Sequence, residues 1–240
     1  LHRSPYNARN HEYYSEDAVL TSGQAVAFIS GGKEYGVIIA PKHLAFNDTE
    51  INRTGVSVFM TEQQARENEL RGTQAAIEDA GALGVMTAFN RVGITATNAH
   101  TGLLKNILRG EWGFKGLESQ DFIMNPNYAV LKEYALNGGT MTTFTGENTM
   151  AAVSEKFAYW TTENVGQDTE LMSAIKQAMT WQAYALANSN ALDGMASSTR
   201  LVSVRTWYDN ALVAVQVVFA ALTVLAAAMY VLNDRKSKKQ

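Results

Sequence analysis

For about 145 residues the chain alternates short apolar runs with longer amphipathic ones. Residues 35–40 (YGVIIA) are an apolar run ahead of Pro41-Lys42-His43 and predict a buried strand ending in a loop. Thr61 with Gln64 fits a helix capping box and predicts a helix running to Gly81. Residues 83–89 (LGVMTAF) predict a second strand. Residues 98–109 place Leu103, Leu104, Ile107 and Leu108 on one helical face. Residues 116–121 fall where a third strand is due, residues 127–137 have a helical pattern ending at Gly138-Gly139, and residues 140–144 predict a fourth strand. Strands alternating with helices of this length predict a parallel sheet built from βα units.

Beyond Phe144 the pattern changes. Residues 146–167 are polar and mixed, which predicts loop with one short helix. Residues 169–188 predict an amphipathic helix, and residues 188–199 (NSNALDGMASST) a linker. No internal repeat is visible. Residues 211–232 then run for 22 positions without a charge, with only Gln216 and Thr223 as mildly polar interruptions. A helix of that length spans roughly 33 Å, enough for a hydrocarbon core of about 30 Å. Trp207 and Tyr208 precede it, where amphipathic rings suit the headgroup layer. Arg235, Lys236, Lys238 and Lys239 follow it, and that basic excess predicts a cytoplasmic C-terminus with everything before Arg205 on the far side.

Composition removes several function classes. The net charge of -3 offers no basic field for nucleic acid. With no cysteine there can be no disulfide, thiolate zinc site or cysteine nucleophile. The histidines are His2, His11, His43 and His100; none pairs with another ligand at helical metal-binding spacing, so no metal is expected. The start, Leu1-His2-Arg3-Ser4-Pro5, has neither an initiator Met nor a signal peptide, and reads as the C-terminal piece of something longer.

If the βα units belong to a (β/α)8 barrel, functional groups gather just after the C-terminal ends of strands. Lys42-His43, Asn90-Arg91 and Asp121 all fall at such places. A carboxylate at Asp121 beside Arg9, Lys42 and His43 has the chemistry of a glycoside nucleophile, an anionic oxygen facing an oxocarbenium-like carbon. The same spacing also suits an ordinary loop Asp capping the next helix.

Residues 1–17, LHRSPYNARNHEYYSED, resemble the segment of family 3 glycoside hydrolases that reads roughly N-I-x-R-x-P-x-x-G-R-N-x-E-Y-x-S-E-D. Residues 42–53, KHLAFNDTEINR, resemble that family's K-H-F-A-x-N-x-x-E-x-x-R. GALGVMTAFNRV at 81–92 and NILRGEWGFKG at 106–116 follow in order, then Asp121. The resemblance implies a retaining, exo-acting, β-glucosidase-like barrel that removes sugars from β-linked oligosaccharides without a cofactor. It puts Asp121 in the nucleophile's place. It puts Arg9, Lys42 and His43 where hydroxyls of the terminal sugar are held, and Phe122 where an aromatic wall meets the sugar's apolar face. Phe89 stands where many members carry a substrate-site Tyr.

The chain also departs from the family pattern. The usually apolar strand before the nucleophile is here Leu117-Glu118-Ser119-Gln120, and a Glu in a barrel strand is expensive to bury without a partner. Thr140-Met141 falls where an Asp is common, and Ala8 replaces a Gly. No segment resembles the one that supplies the family's acid/base Glu, so an upstream domain is expected to provide it, as in the rearranged members whose barrel is C-terminal. The NSNA at 188–191 resembles the tail of such anchored members. A carbohydrate-binding member without chemistry is the alternative.

The expected organisation is therefore α/β: the C-terminal portion of a (β/α)8 TIM-type barrel over 1–145 and a helical and linker segment over 146–205. One transmembrane helix over 206–233 and a basic tail over 234–240 complete it. Other polar residues get structural roles. Glu12, Glu16 and Asp17 fix loops, and Asn47, Asp48, Glu50 and Arg53 hold the Lys42-His43 loop. His100 is a surface helix residue, and Trp112 and Phe114 pack in the core.

Overall fold

Six short strands lie among the described residues: Lys42–Leu44 (β1), Ser57–Val58 (β2), Gly84–Thr87 (β3), Arg91–Val92 (β4), Thr95–Ala96 (β5) and Leu117–Gln120 (β6). They come from a computed structural model that describes residues 1–47, 49–53, 55–122, 130–143, 158, 160–195, 198–200 and 202–237. β1, β3 and β6 form a parallel sheet in chain order, Lys42 opposite Met86 and Gly84 through Thr87 opposite Leu117 through Gln120. Met141 adds a parallel bridge to Ser119, beginning the predicted fourth strand, whose last residue, Phe144, lies outside the described residues. β2, β4 and β5 make a second, smaller sheet.

Each parallel pairing is bought with a helical crossover, and the helices bury their apolar stripes on the sheet. Leu44, Leu70, Val85, Leu104 and Leu108 are all but fully buried in one core, joined by Trp112 and Phe114 as expected. The helix predicted from 61 to 81 forms as Glu62–Gln64 (α2), a π-helical turn Ala65–Glu69, and Arg71–Glu78 (α3). Its start is the predicted cap, Thr61 Oγ1 accepting from Gln64 N at 3.2 Å. The helix predicted over 98–109 forms as a 3-10 turn Thr97–Ala99 and a π-helix Gly102–Glu111. His100 is half-buried rather than a surface residue, and its Nδ1 accepts from Leu103 N at 3.1 Å at that helix start. The helix predicted over 127–137 forms as the shorter Leu131–Leu136 (α4), with Val130 and Asn137 as its caps; residues 127–129 lie outside the described residues.

The strand predicted at 35–40 is corrected. A helix Ala18–Lys33 (α1), N-capped by Asp17 through Leu20 N at 2.6 Å, fills the preceding stretch. The chain then turns at Gly36, with φ +69°, and the ladder starts only at Lys42. Residues 37–40 are apolar because Ile39 packs on the core, not because they pair. Gly116 permits the entry to β6: a Cβ there would stand 2.2 Å from Leu83 O.

After the sheet come Thr162–Gln167 (α5) and Thr169–Ala187 (α6), the short helix and the long one the pattern predicts; residues 144–157 and 159 lie outside the described residues. α6 packs on α4. The linker predicted at 188–199 starts later than its composition suggests. Asn190–Leu192 forms a 3-10 turn, with Asn190 N donating to Gly36 O and Asn190 Nδ2 to Tyr35 O, both at 2.8 Å. One compact unit therefore spans Leu1–Asp193. The second unit, Gly194–Gln240, contains among its described residues one helix, Trp207–Ser237 (α7), in which Trp207–Leu232 is long and apolar enough to cross a membrane. Residues 238–240 of the predicted basic tail lie outside the described residues.

Candidate active site at the strand ends

Asp121 follows β6 directly, and its N–H donates to Thr87 O of β3 at 3.1 Å, so the sheet ladder sets where its side chain starts. Its Oδ1 accepts from Phe122 N at 2.8 Å. Oδ2 makes no hydrogen bond of ordinary geometry, but His43 Nε2 lies 3.3 Å away and Arg53 Nη1 3.7 Å away. Gln120 is braced from behind: its Oε1 accepts from buried Asn98 Nδ2 at 2.7 Å.

Asp121 lines a cavity of about 570 Å³ together with Arg9, Glu12, Lys42, His43, Glu50, Arg53, Met86 and Phe122. The structure thus brings Arg9, Lys42, His43, Asp121 and Phe122 around one space, from segments 113 residues apart between the first and the last (122 minus 9). Lys42 and His43 reach it from within β1, not from a loop after it as the pattern predicts. Phe122 is 44% exposed on the rim. Phe89 does not line the cavity: it is buried, with the Arg53 guanidinium 4.5 Å above its ring.

The electrostatics are organised by Glu12. Arg9 Nε and Nη2 donate to its two oxygens at 2.7 Å, and Lys42 Nζ donates at 2.8 Å. These bonds, Arg9 first, hold the Glu12 carboxyl well below the usual carboxylate range. The same contact with Glu12 pushes the Arg9 guanidinium above its ordinary value. Glu50 Oε1 accepts from Arg9 Nη1 at 3.3 Å and from Arg53 Nη1 at 3.2 Å. His43 is different: burial, then the charges of Arg9 and Lys42, push its imidazole down to about 3, against a smaller opposing pull from Glu12. It is a neutral ring at physiological pH. With its proton on Nε2 it points a donor at Asp121 Oδ2, and Nδ1 faces Tyr13 Oη at 3.5 Å.

Glu12, Glu50 and Arg53, read from the sequence as loop-fixing residues, are therefore cavity residues. The available signal was Arg53 lying ten positions after His43 in the same motif. Asp17, by contrast, does fix structure, as the cap of α1. Among the described residues no group of three His, Asp or Glu is placed to hold a metal ion.

The profile described as glycosyl hydrolase family 3 N terminal domain matches residues 1–157. A β-glucosidase of Rhizobium radiobacter is 40% identical over 122 residues, which are 51% of this chain and 15% of that protein. β-Glucosidase B of Emericella nidulans is 40% identical over 122 residues and 14% of its own length. Among solved structures, β-glucosidase 3B from Thermotoga neapolitana, in complex with glycerol, superposes with a TM-score of 0.69 at 28% identity, covering 80% of this chain and 26% of that one. The family 3 β-glucosidase of Bifidobacterium adolescentis shares the fold, with a TM-score of 0.69 at 20% identity over 84% of this chain and 28% of its own. The chain spans about a seventh of these curated relatives and about a quarter of these structures.

Proposed function

We propose, from the premise that this chain belongs to glycosyl hydrolase family 3, that it carries the nucleophile side of a retaining, exo-acting β-glucosidase-like site. Asp121 attacks the anomeric carbon of a terminal β-linked sugar and forms a covalent glycosyl intermediate. Arg9, Lys42 and His43 bind and orient the sugar hydroxyls, charged donors giving the stronger bonds. Phe122 supplies an apolar wall on the rim. A Glu from an upstream domain protonates the leaving oxygen and then activates the water that releases the sugar; retaining chemistry needs the two carboxyls about 5–5.5 Å apart. The reaction calls for neither metal nor organic cofactor. The apolar helix α7 spans a membrane once, with its basic end cytoplasmic and the sugar site on the other side.

The observation that carries this reading is Asp121 itself, held by backbone at the end of β6 with Oδ2 facing donors in a cavity of sugar-binding chemistry. Its test is covalent trapping. A 2-deoxy-2-fluoroglucoside with a dinitrophenolate leaving group needs no acid, so the upstream Glu is not required. Label on Asp121, located by mass spectrometry, is the expected result. A folded chain that takes no label overturns it.

The engagement of Arg9 and Lys42 with Glu12 favours a second reading, in which the site binds sugar without turning it over. Asp121→Asn separates the two: under the first reading trapping vanishes while sugar affinity persists, and under the second there is no trapping to lose.

A further inference from the structure

Within residues 211–232 of α7 the polar positions are not scattered. Asp209, Gln216, Thr223 and Tyr230 stand seven residues apart along Trp207–Ser237. Seven residues return an α-helix to within about 20° of the same direction, so Gln216, Thr223 and Tyr230 form one stripe roughly 21 Å long. The rest of residues 211–232 is apolar. Ala220 and Ala227 lie one turn beyond Gln216 and Thr223 on that same face, small enough to let a second backbone approach.

The stripe has one unmet need. Thr223 Oγ1 donates to Phe219 O at 2.8 Å within the helix, and Asp209 Oδ2 accepts from Thr206 just before it, so both are satisfied locally. The Gln216 amide has no hydrogen-bond partner among the described residues, and the helix around it is not covered by protein. In hydrocarbon an unpaired amide is costly. A carboxamide both donates and accepts, so an identical amide facing it across a two-fold axis meets the need of both. Copies inserted with the same topology lie parallel, which puts Gln216 opposite Gln216. A seven-residue repeat also favours the left-handed crossing of such pairs.

From this geometry, and resting on the membrane-spanning reading of α7, we infer that the helix pairs in parallel with a second copy of itself through the Gln216–Thr223–Tyr230 stripe. The pairing brings two sugar sites to one patch of membrane.

The full chain tests this. A single reporter cysteine, Ser198→Cys, carries donor or acceptor dyes, and the protein is reconstituted into phosphatidylcholine–phosphatidylglycerol vesicles and floated on a density gradient. Energy transfer is followed as lipid is added. The expected result is transfer that falls with dilution as a dimer dissociates. Gln216→Leu weakens the dimer on the order of 10-fold. Gln216→Asn retains most of the affinity, and Leu225→Ala, half a turn round the helix, behaves as the parent. A floated chain that shows no transfer, or a Gln216→Leu variant that pairs as tightly as the parent, overturns the pairing while leaving the membrane span standing. A chain that fails to float overturns both, and leaves the glycosidase reading untouched.

Discussion

His43 sits where two demands meet, a nearly dry pocket and neighbours of mixed charge. Burial pushes its imidazole down to about 3, whereas an unfolded histidine takes up its proton near 6.5. Between those values the unfolded chain binds more protons than the folded one. Its contribution is therefore whole above pH 6.5 and is lost as the pH falls towards 3, with a limiting slope of about 1.4 kcal/mol per pH unit. His43→Gln should flatten the acid-side loss between pH 6.5 and 4, measured by urea unfolding of parent and variant. Glu118 has the opposite sign. Burial pushes its carboxyl up to about 7, although Tyr134, Arg109 and Thr87 pull the other way. The folded chain keeps a proton that the unfolded chain releases near 4.5, so this contribution is whole below about pH 4.5 and lost as the pH rises through 7. Glu118→Gln should match the parent at pH 5 and exceed it at pH 8 by about 1–3 kcal/mol in the same assay. The cost of burying this Glu was legible in the sequence. The neighbours that pull it down were not, because they come from three elements that only the fold assembles, and even there neither carboxyl oxygen has a hydrogen-bond partner among the described residues.

At the scale of elements, Arg109 is the joint. From the π-helix its Nη1 donates to Phe114 O at 3.0 Å and Gly116 O at 2.9 Å, and its Nε and Nη2 donate to Gly138 O at 3.1 and 2.7 Å. Its guanidinium lies 3.8 Å from the centre of the Trp181 ring on α6 and 4.8 Å from that of Phe114. One side chain thus fastens the entrance of β6 to the C-terminal end of α4 and to α6. Arg109→Met keeps the volume but leaves three buried carbonyls short of a donor, and should lower stability by about 3 kcal/mol or more in urea unfolding. Because it loosens the entrance to β6, it should also slow the labelling of Asp121 in the trapping assay. The apolar run at 83–89 announced β3, since central parallel strands are buried on both faces, whereas β6, with the polar sequence Leu117-Glu118-Ser119-Gln120, was announced only by its place after the helix over 98–109. α1 was missed because Gly23, Gly31 and Gly32 dilute its pattern, and its buried face is only Thr21, Ala25 and Ile29. The run at 35–40 misled because apolar residues also serve to plug a gap.

At the scale of the molecule, the ordered motifs identified the family and set His43 beside Asp121, while pairings such as Arg9 and Lys42 with Glu12 needed the three-dimensional arrangement. Composition also separated the body from the apolar helix but misplaced the border, because nothing in NSNA signals that Asn190 will clamp the turn at Gly36. The border makes a testable statement. A chain ending at Asp193 should stay in the supernatant after high-speed centrifugation without detergent and give the circular dichroism of a folded α/β protein. A chain ending at Asn188 should lose the clamp and unfold at a lower temperature.

The order of the strands has a meaning in time as well as in space. In the larger sheet β1 pairs with β3 and β3 with β6, so β3 and β6 each find their partner in the strand of that sheet synthesised before them. The paired positions Lys42 and Met86 are 44 residues apart, and Gly84 and Leu117 are 33 apart. By loop-closure entropy those two spans differ by only about 0.3 kcal/mol. Among the described strands of this sheet, each pairing closes over the neighbouring βα unit. A nascent polypeptide leaving the ribosome can add one βα unit after another to this growing sheet, each new strand taking the edge that the one before it left open.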